Sequence, residues 1–301
     1  EYRNEEAEIL SVFVKSTVGA AEMDRLPNLK FIATRSTGFD HIDLEEAQRR
    51  GIVVSNVPTY GENTVAEYAF ALLLALSRRI YESYDRVLKE GNFSPAGLRG
   101  FDLKGKKIGV VGTGHIGAHA IKIARGFGMD VIAYDVRENQ DMAHDMGFMY
   151  VTFEDLLAQS DIITLHAPYN EHTHHMLNMD NIWQVKRGAY IINTARGALL
   201  ETGALIKALE EGVVGGAGLD VVEEENFMRD DLELLMADHP NPESLQTLLQ
   251  NQYLIDHPRV LIVPHNAFNT QEALERILAT TIENLKAFTL GTPVNTVEPR
   301  G

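Results

Sequence analysis

The sequence predicts an α/β fold in which parallel sheet is wound by helices on both faces, spread over about two domains. Three observations carry this. A short apolar strand at Ile108–Val111 runs into a glycine turn and then a helix. From Lys106 onward, short apolar runs alternate regularly with helical stretches, as in strands buried on both faces of a parallel sheet. The chain has 301 residues, which suggests two domains at roughly 150 residues each.

The elements follow in order. The first region reads as a small α/β unit, with strands at Ile9–Val14, Lys30–Thr34 and Ile52–Ser55. Asp43–Arg50 is helical between them, with Gly51 as its C-terminal stop. Asn56–Asn63 is a turn-rich loop. Thr64–Tyr84 reads as one long helical run, apolar nearly all round at Ala69–Ala75, which predicts burial between domains or at a dimer interface. Gly91–Gly105 is a connector. The second region places strands at Ile108–Val111, Val131–Tyr134, Ile162–His166, Tyr190–Asn193, Ala217–Val221 and Val260–Val263, with Met149–Thr152 as a further candidate. Asn226–His257, acidic and then rich in Pro, Gln and Asn, breaks the rhythm and is expected to hold a helix or two on the surface. Gln271–Leu290 has helical periodicity and stops at Gly291.

The glycine turn reads Gly112-x-Gly114-x-x-Gly117. Gly112 permits the sharp turn, Gly114 lets a pyrophosphate approach the backbone, and Gly117 lets the helix pack against the strand. The helix N-terminus offers amide groups and a positive dipole end to phosphates. The next strand ends on Asp135, where an acid accepts hydrogen bonds from the adenine ribose of NAD and repels the 2′-phosphate of NADP. Arg137, two residues on, complicates that preference.

Composition excludes other classes. The net charge of −16 argues against nucleic-acid and anionic-membrane partners, which need basic surface. No cysteine is present, so there is no disulfide framework and no thiol chemistry, and cytoplasm is the default expectation. The longest apolar run, Ala69–Leu76, is too short to span a bilayer. The chain begins at Glu1 without methionine or signal-peptide pattern, and trimming at the N-terminus is expected. His172, His174 and His175 resemble a metal cluster, but no ligand pattern completes them. They read as surface-loop histidines, and no metal site is expected.

Ligands of open α/β sheets bind beyond the carboxyl ends of the strands. Three of those ends carry Thr194-Ala195-Arg196-Gly197, Val222-Glu223-Glu224-Glu225 and Pro264-His265-Asn266-Ala267. An arginine, an acid and a histidine therefore converge on the dinucleotide edge. They suit hydride transfer at a carbon bearing oxygen. The Arg196 guanidinium matches a carboxylate or polarises a carbonyl, and His265 can exchange the hydroxyl proton. A carboxylate beside it would fix its tautomer. Three consecutive acids occupy that position, and spacing alone does not choose among them.

These residues carry a family resemblance. Arg35-Ser36-Thr37-Gly38-Phe39-Asp40, Asn56-Val57-Pro58-Thr59-Tyr60, Thr64-Val65-Ala66-Glu67, the glycine turn, Asn193-Thr194-Ala195-Arg196-Gly197, Leu219-Asp220-Val221 leading to Glu225, and Pro264-His265 together resemble the D-isomer-specific 2-hydroxyacid dehydrogenases, most closely the D-lactate dehydrogenase branch. The resemblance implies two Rossmann- or flavodoxin-like doubly wound domains with a cleft between them. The catalytic domain would be 1–60 plus 268–301, lacking its first strand and helix, and the NAD domain 61–267. It implies Arg196 as the substrate-binding residue, His265 as general acid/base and Glu225 as its partner, with Thr37, Gly38 and Tyr60 at the substrate. The implied cofactor set is Gly112, Gly114, His115, Ile116, Gly117, Asp135, Pro168, Thr194, Ala195 and Asp220. A homodimer and a small 2-keto/2-hydroxy acid pair such as pyruvate and D-lactate are expected. Glyoxylate, hydroxypyruvate or another 2-keto acid remain alternatives, as does an NAD(H)-sensing, corepressor-like binding role.

Overall fold

The computed structural model describes residues 6–14, 16–225 and 242–299. The chain divides into two compact units, one formed by Glu1–Gly61 with Phe268–Gly301 and the other by Glu62–Ala267.

The first unit holds a three-stranded parallel sheet in the order β1 (Ile9–Val12), β2 (Phe31–Thr34), β3 (Val53–Ser55). Helix α1 (Ala20–Asp24) follows β1, and α2 (Leu44–Arg49) lies between β2 and β3. Asp43 caps α2 by accepting from the Glu46 amide, and Gly51 just beyond it has φ +71°, the left-handed conformation that ends a helix cheaply only at glycine. A C-terminal helix of Gln271–Thr289, named α10 below, returns to this sheet and packs on β2, with Phe288 stacked on Phe31 at 4.4 Å between ring centroids. Polar bonds complete the closure. Asn284 is fully buried, donates to the Asn56 carbonyl at 2.8 Å, and accepts from Asn295 Nδ2 at 2.8 Å.

The second unit begins with α3 (Glu62–Ser77) and α4 (Ile80–Glu90). The single long run expected at Thr64–Tyr84 is therefore two helices. Arg79 sits between them at φ +51°, and the chain turns where neither glycine nor proline announces it. The apolar side chains of α3 are used inside this unit: Ala66, Ala69, Phe70 and Leu73 share a buried cluster with Ala120, Ile121 and Ala124. Strands and helices then alternate as β4 (Lys107–Val111), α5 (His115–Gly126), β5 (Asp130–Tyr134), α6 (Gln140–Met146), β6 (Met149–Tyr150), α7 (Phe153–Gln159), β7 (Ile162–Leu165), β8 (Ala189–Asn193), α8 (Thr202–Glu210), β9 (Val214–Leu219), α9 (Pro242–Ile255) and β10 (Val260–Ile262). The seven strands are all parallel, in the order β10-β9-β8-β7-β4-β5-β6.

Apolar clusters cover both faces. One joins α3, α5 and β4; the other joins α7, α8, β8 and β9 through Leu156, Leu157, Leu205 and Leu209. Strand order reverses between β4 and β7, which opens a crevice at their carboxyl ends where such sheets bind ligands. Of the segment expected to hold surface helices, residues 226–241 lie outside the described residues. Helix α9 follows them, and it is not wholly superficial: Asn251 and Leu254 are buried.

Replacing Asn284 by alanine would strand the buried Asn56 carbonyl and take the acceptor from the half-buried Asn295 amide. The expected loss is about 1–3 kcal/mol, the cost of unsatisfied buried polar groups, read as a lower urea midpoint for unfolding.

Candidate active site

The turn after β4 is shaped by sterics. Gly112 has φ +90°, and a Cβ there would lie 2.8 Å from the Ala167 amide nitrogen that follows β7. A Cβ at Gly117 would overlap the Gly112 carbonyl oxygen, so only glycine lets α5 start this close to the strand. At Gly114 the space a Cβ would fill is open. Gly114 is the N-cap of α5 and provides no side-chain cap, so the first-turn amides of His115, Ile116 and Gly117 face the crevice end without one. His115 is exposed, with Nδ1 3.5 Å from Glu62 Oε1.

Asp135 follows β5 and is already oriented. Its Oδ2 accepts from the Thr113 amide at 2.6 Å and the Thr113 hydroxyl at 2.9 Å, and its Oδ1 accepts from the Arg137 amide at 2.9 Å. The Thr113 hydroxyl also meets Tyr150 Oη at 2.9 Å. Arg137 thus engages Asp135 through its backbone. Beyond β8, Thr194 Oγ1 is buried with no hydrogen-bond partner among the described residues. A buried hydroxyl at a strand end, an open glycine and an uncapped helix start fit a dinucleotide. Pro168 is exposed, and its carbonyl accepts from Thr173 Oγ1 at 2.7 Å.

The turn carrying Arg196 is held by Asn193, which the sequence reading placed at a strand end and in the family motif but gave no role. Asn193 is buried; its Oδ1 accepts from the Ala195 amide at 3.0 Å and its Nδ2 donates to the Arg196 carbonyl at 2.8 Å. An asparagine closing an apolar strand was the available signal.

Among the three consecutive acids, the structure pairs Glu225 with His265, whose Nδ1 lies 2.6 Å from Glu225 Oε1. Glu224 has φ +54°, so the acids on either side of it face different partners. Glu223 meets His175 Nε2 at 2.5 Å instead. One expectation is corrected here: His175 is a half-buried, carboxylate-paired residue and not a surface-loop histidine. No group of metal-ligating side chains occurs among the described residues.

His265 itself is strained, at φ +50°. Asp220 holds it there. The His265 amide donates to the Asp220 carbonyl at 2.8 Å, and the Asp220 carboxylate accepts from the Asn266 and Ala267 amides at 2.6 and 3.0 Å. Burial raises the Asp220 carboxyl above its ordinary value, against those two amides, which favour the anion. At the end of β7, His166 has Nε2 2.9 Å from Thr164 Oγ1, and burial lowers its pKa to about 4, so its ring is neutral at physiological pH.

In the first unit, Thr37, Gly38 and Tyr60 also follow strand ends. Thr37 Oγ1 donates to the Val57 carbonyl at 2.9 Å, Asn56 Nδ2 donates to the Thr37 carbonyl at 2.9 Å, and Ser36 Oγ donates to the Gly38 carbonyl at 2.6 Å. Arg276 from α10 donates to the Tyr60 carbonyl at 2.7 Å. These bonds fix the two loops within the unit.

Fold and site define a dinucleotide-dependent oxidoreductase. The profile of the D-isomer specific 2-hydroxyacid dehydrogenase NAD binding domain matches residues 70–267. A 2-hydroxyacid dehydrogenase homolog of Haemophilus influenzae is 38% identical over 283 residues, covering 93% of this chain and 82% of its own. The glyoxylate reductase of Thermococcus litoralis is 38% identical over 293 residues, covering 95% of this chain and 82% of its own. The crystal structure of D-lactate dehydrogenase from Aquifex aeolicus, complexed with NAD and lactic acid, superposes with a TM-score of 0.88 at 37% identity, covering 99% of this chain and 88% of its own. The chain belongs to the D-isomer-specific 2-hydroxyacid dehydrogenase family, and it is an NAD-dependent enzyme acting on a 2-hydroxy/2-keto acid pair.

The half-buried His166 yields a pH prediction. Its folded pKa lies below the unfolded value of about 6.5, so the unfolded chain binds the extra proton and stability is lost as pH falls from about 6.5 to about 4. A His166→Gln variant is expected to lose less stability over that window, by an amount on the order of 2 kcal/mol, measured by urea unfolding at stepped pH.

Proposed function

We propose that this chain reduces a small 2-keto acid, pyruvate foremost, to the D-2-hydroxy acid. The observation that carries the reading is the 2.6 Å pairing of His265 with Glu225, on the same strand-end edge as Arg196. When bound, NADH supplies the hydride. Arg196 holds the substrate carboxylate with its planar fork of donors and draws electron density from the carbonyl oxygen. His265 gives its proton to that oxygen as the alkoxide develops, and takes it back in the oxidation direction. Glu225 accepts from Nδ1, which leaves Nε2 as the nitrogen that exchanges the proton. Asp220 positions the His265 loop. Thr37, Gly38 and Tyr60 serve the substrate, and Gly114, the α5 N-terminus, Asp135 and Thr194 serve the cofactor, with His115, Ile116, Pro168 and Ala195 as their neighbours. The preference for pyruvate over glyoxylate or hydroxypyruvate rests on Tyr60 and on the likeness to the lactate-bound structural relative.

The test is loss of NADH absorbance with a panel of 2-keto acids. Pyruvate turnover is expected, with kcat lower by about 10²–10⁴-fold in His265→Ala, the usual worth of a general acid. In Arg196→Gln the keto-acid KM should rise by about tenfold or more, the worth of a charged hydrogen bond. Tight NADH binding with no turnover of any keto acid would overturn the reading.

We also propose a homodimer. Helix α4 leaves Ile80, Tyr81, Tyr84, Val87 and Leu88 substantially exposed, and Phe93 beyond it is 91% exposed. A contiguous apolar face of this kind on a chain of net charge −16 is best accounted for by a second copy. Light scattering on a Leu88→Arg, Phe93→Arg double variant should report a monomer where the parent is a dimer.

A further inference from the structure

Between the Arg196 turn and the Glu225–His265 pair lies a carboxylate to which the reaction assigns no task. Glu223 is only 15% exposed at its side chain, and both of its oxygens are engaged. Oε1 accepts from His175 Nε2 at 2.5 Å, in the loop after β7. Oε2 accepts from the Thr202 amide at 2.8 Å and the Thr202 hydroxyl at 2.7 Å, at the start of α8. The Glu223 carbonyl accepts from Asn251 Nδ2 at 2.7 Å, on α9. One residue therefore ties the segment after β9 to three others.

The segment it belongs to and the one it anchors at Thr202 adjoin the residues proposed to react. Thr202 lies six residues beyond Arg196, and the backbone between them passes directly against Glu223. A Cβ on Gly197 would overlap the Val222 carbonyl and lie 2.5 Å from the Glu223 amide nitrogen. Arg196 is thus followed at once by a residue whose backbone rests on the Val222–Glu223 peptide. In the other direction, Glu225 follows after the single left-handed residue Glu224. Movement of the Val222–Glu223 peptide would displace the Arg196 turn on one side and the partner of His265 on the other.

We propose that Glu223, through His175 and Thr202, is a positioning residue that fixes the Arg196 turn and the Glu225–His265 pair relative to one another. The inference rests on the reading that Arg196, Glu225 and His265 act on the keto acid. Its logic is that of preorganisation, where small misplacements of catalytic groups cost rate steeply. A charge buried among donors also resists being moved, since each lost bond leaves an uncompensated group. Glutamine can reproduce this geometry: its amide oxygen accepts from Thr202 and its amide N–H donates to an acceptor nitrogen of His175. Alanine cannot.

The experiment compares the full chain with Glu223→Ala and Glu223→Gln. For Glu223→Ala the expectation is a loss of about a hundredfold in kcat/KM for the keto acid, divided between a lower kcat and a higher keto-acid KM, with NADH affinity unchanged. Glu223→Gln should recover most of the loss. A readout independent of turnover is the downfield imidazole N–H proton resonance of His265, identified by its disappearance in His265→Ala. It should broaden or shift in Glu223→Ala and persist in Glu223→Gln. A folded Glu223→Ala protein that keeps the parent kcat/KM and the His265 resonance overturns the proposal. So does a fall in NADH affinity that accounts for the whole loss. Where Glu223→Ala fails to fold, His175→Ala and Thr202→Val each cut one anchor, and parent behaviour in both overturns it equally. If the parent turns over no keto acid, the functional reading fails, and the His265 resonance still decides whether Glu223 positions the pair.

Discussion

The edge of the seven-stranded sheet depends on the buried carboxylate of Asp220. Taking an ionised group out of water is costly, and the protein offsets it with two backbone amides, those of Asn266 and Ala267. The exchange fixes the chain just beyond β10 in a conformation it would not otherwise hold. His265 sits at φ +50°, where a non-glycine residue is unfavourable, and its own amide is bonded back to the Asp220 carbonyl. The strain and the desolvation are tolerable because each compensates the other: the loop bends to bring its amides to the carboxylate, and the carboxylate holds the loop bent.

Asp220 is one case of a wider arrangement. In a parallel sheet every strand exits at the same edge, where the ladder of backbone hydrogen bonds stops and the loops must be held by something else. Here the replacements are polar side chains at or just past strand ends. Asp135, after β5, holds the glycine turn after β4 through Thr113. Asn193, at the end of β8, holds its own turn. Glu223, after β9, holds the start of α8. Each bond crosses between neighbouring loops or closes one, so the edge is a layer of loops held by side chains. Such a layer keeps donors and acceptors aimed before any substrate arrives, which is what electrostatic catalysis requires.

Much of this was legible in the sequence, and the division between legible and illegible has a physical basis. The glycine turn could be read because its constraints are local: left-handed φ at Gly112 and helix–strand contact at Gly117 each demand a residue without Cβ. Most strand positions could be read because burial on both faces leaves short apolar runs; β9, expected at Ala217–Val221, runs over Val214–Leu219, where two glycines near its start break the apolar signal. The break between α3 and α4 could not, since Arg79 adopts φ +51° through its surroundings and arginine has no bias toward that conformation. Partnerships across long separations were equally silent. Nothing in the spacing of Glu223, Glu224 and Glu225 says that the first meets His175 and the last meets His265, because the choice is made by one left-handed residue and by loops far away in sequence. Family resemblance selected Glu225; the reason lies in the turn, and it left Glu223 unexplained. The bond from Asn284 to Asn56 spans 228 positions and has no sequence signature.

The same layer explains why chemistry is easier to infer here than substrate. Arg196, Glu225, His265 and Asp220 all belong to one unit, and the reaction proposed for them concerns the part that every 2-keto acid shares, a carboxylate beside a carbonyl. That part dictates a guanidinium fork and a proton donor, and little else. Discrimination among pyruvate, glyoxylate and hydroxypyruvate concerns only the third substituent on the carbonyl carbon. One methylene or hydroxyl there changes binding by a few kcal/mol at most unless a buried polar group reads it. The residues proposed to meet that substituent, Tyr60 above all, belong to the other unit, on a loop held by Arg276 and by the Asn56–Thr37 bond. On that proposal, substitution in that loop changes the contacts to the third substituent while the residues proposed to react stay the same. Relatives with nearly the same identity to this chain can accordingly carry different substrate names, and measuring the keto-acid spectrum answers a question that the reacting residues do not encode.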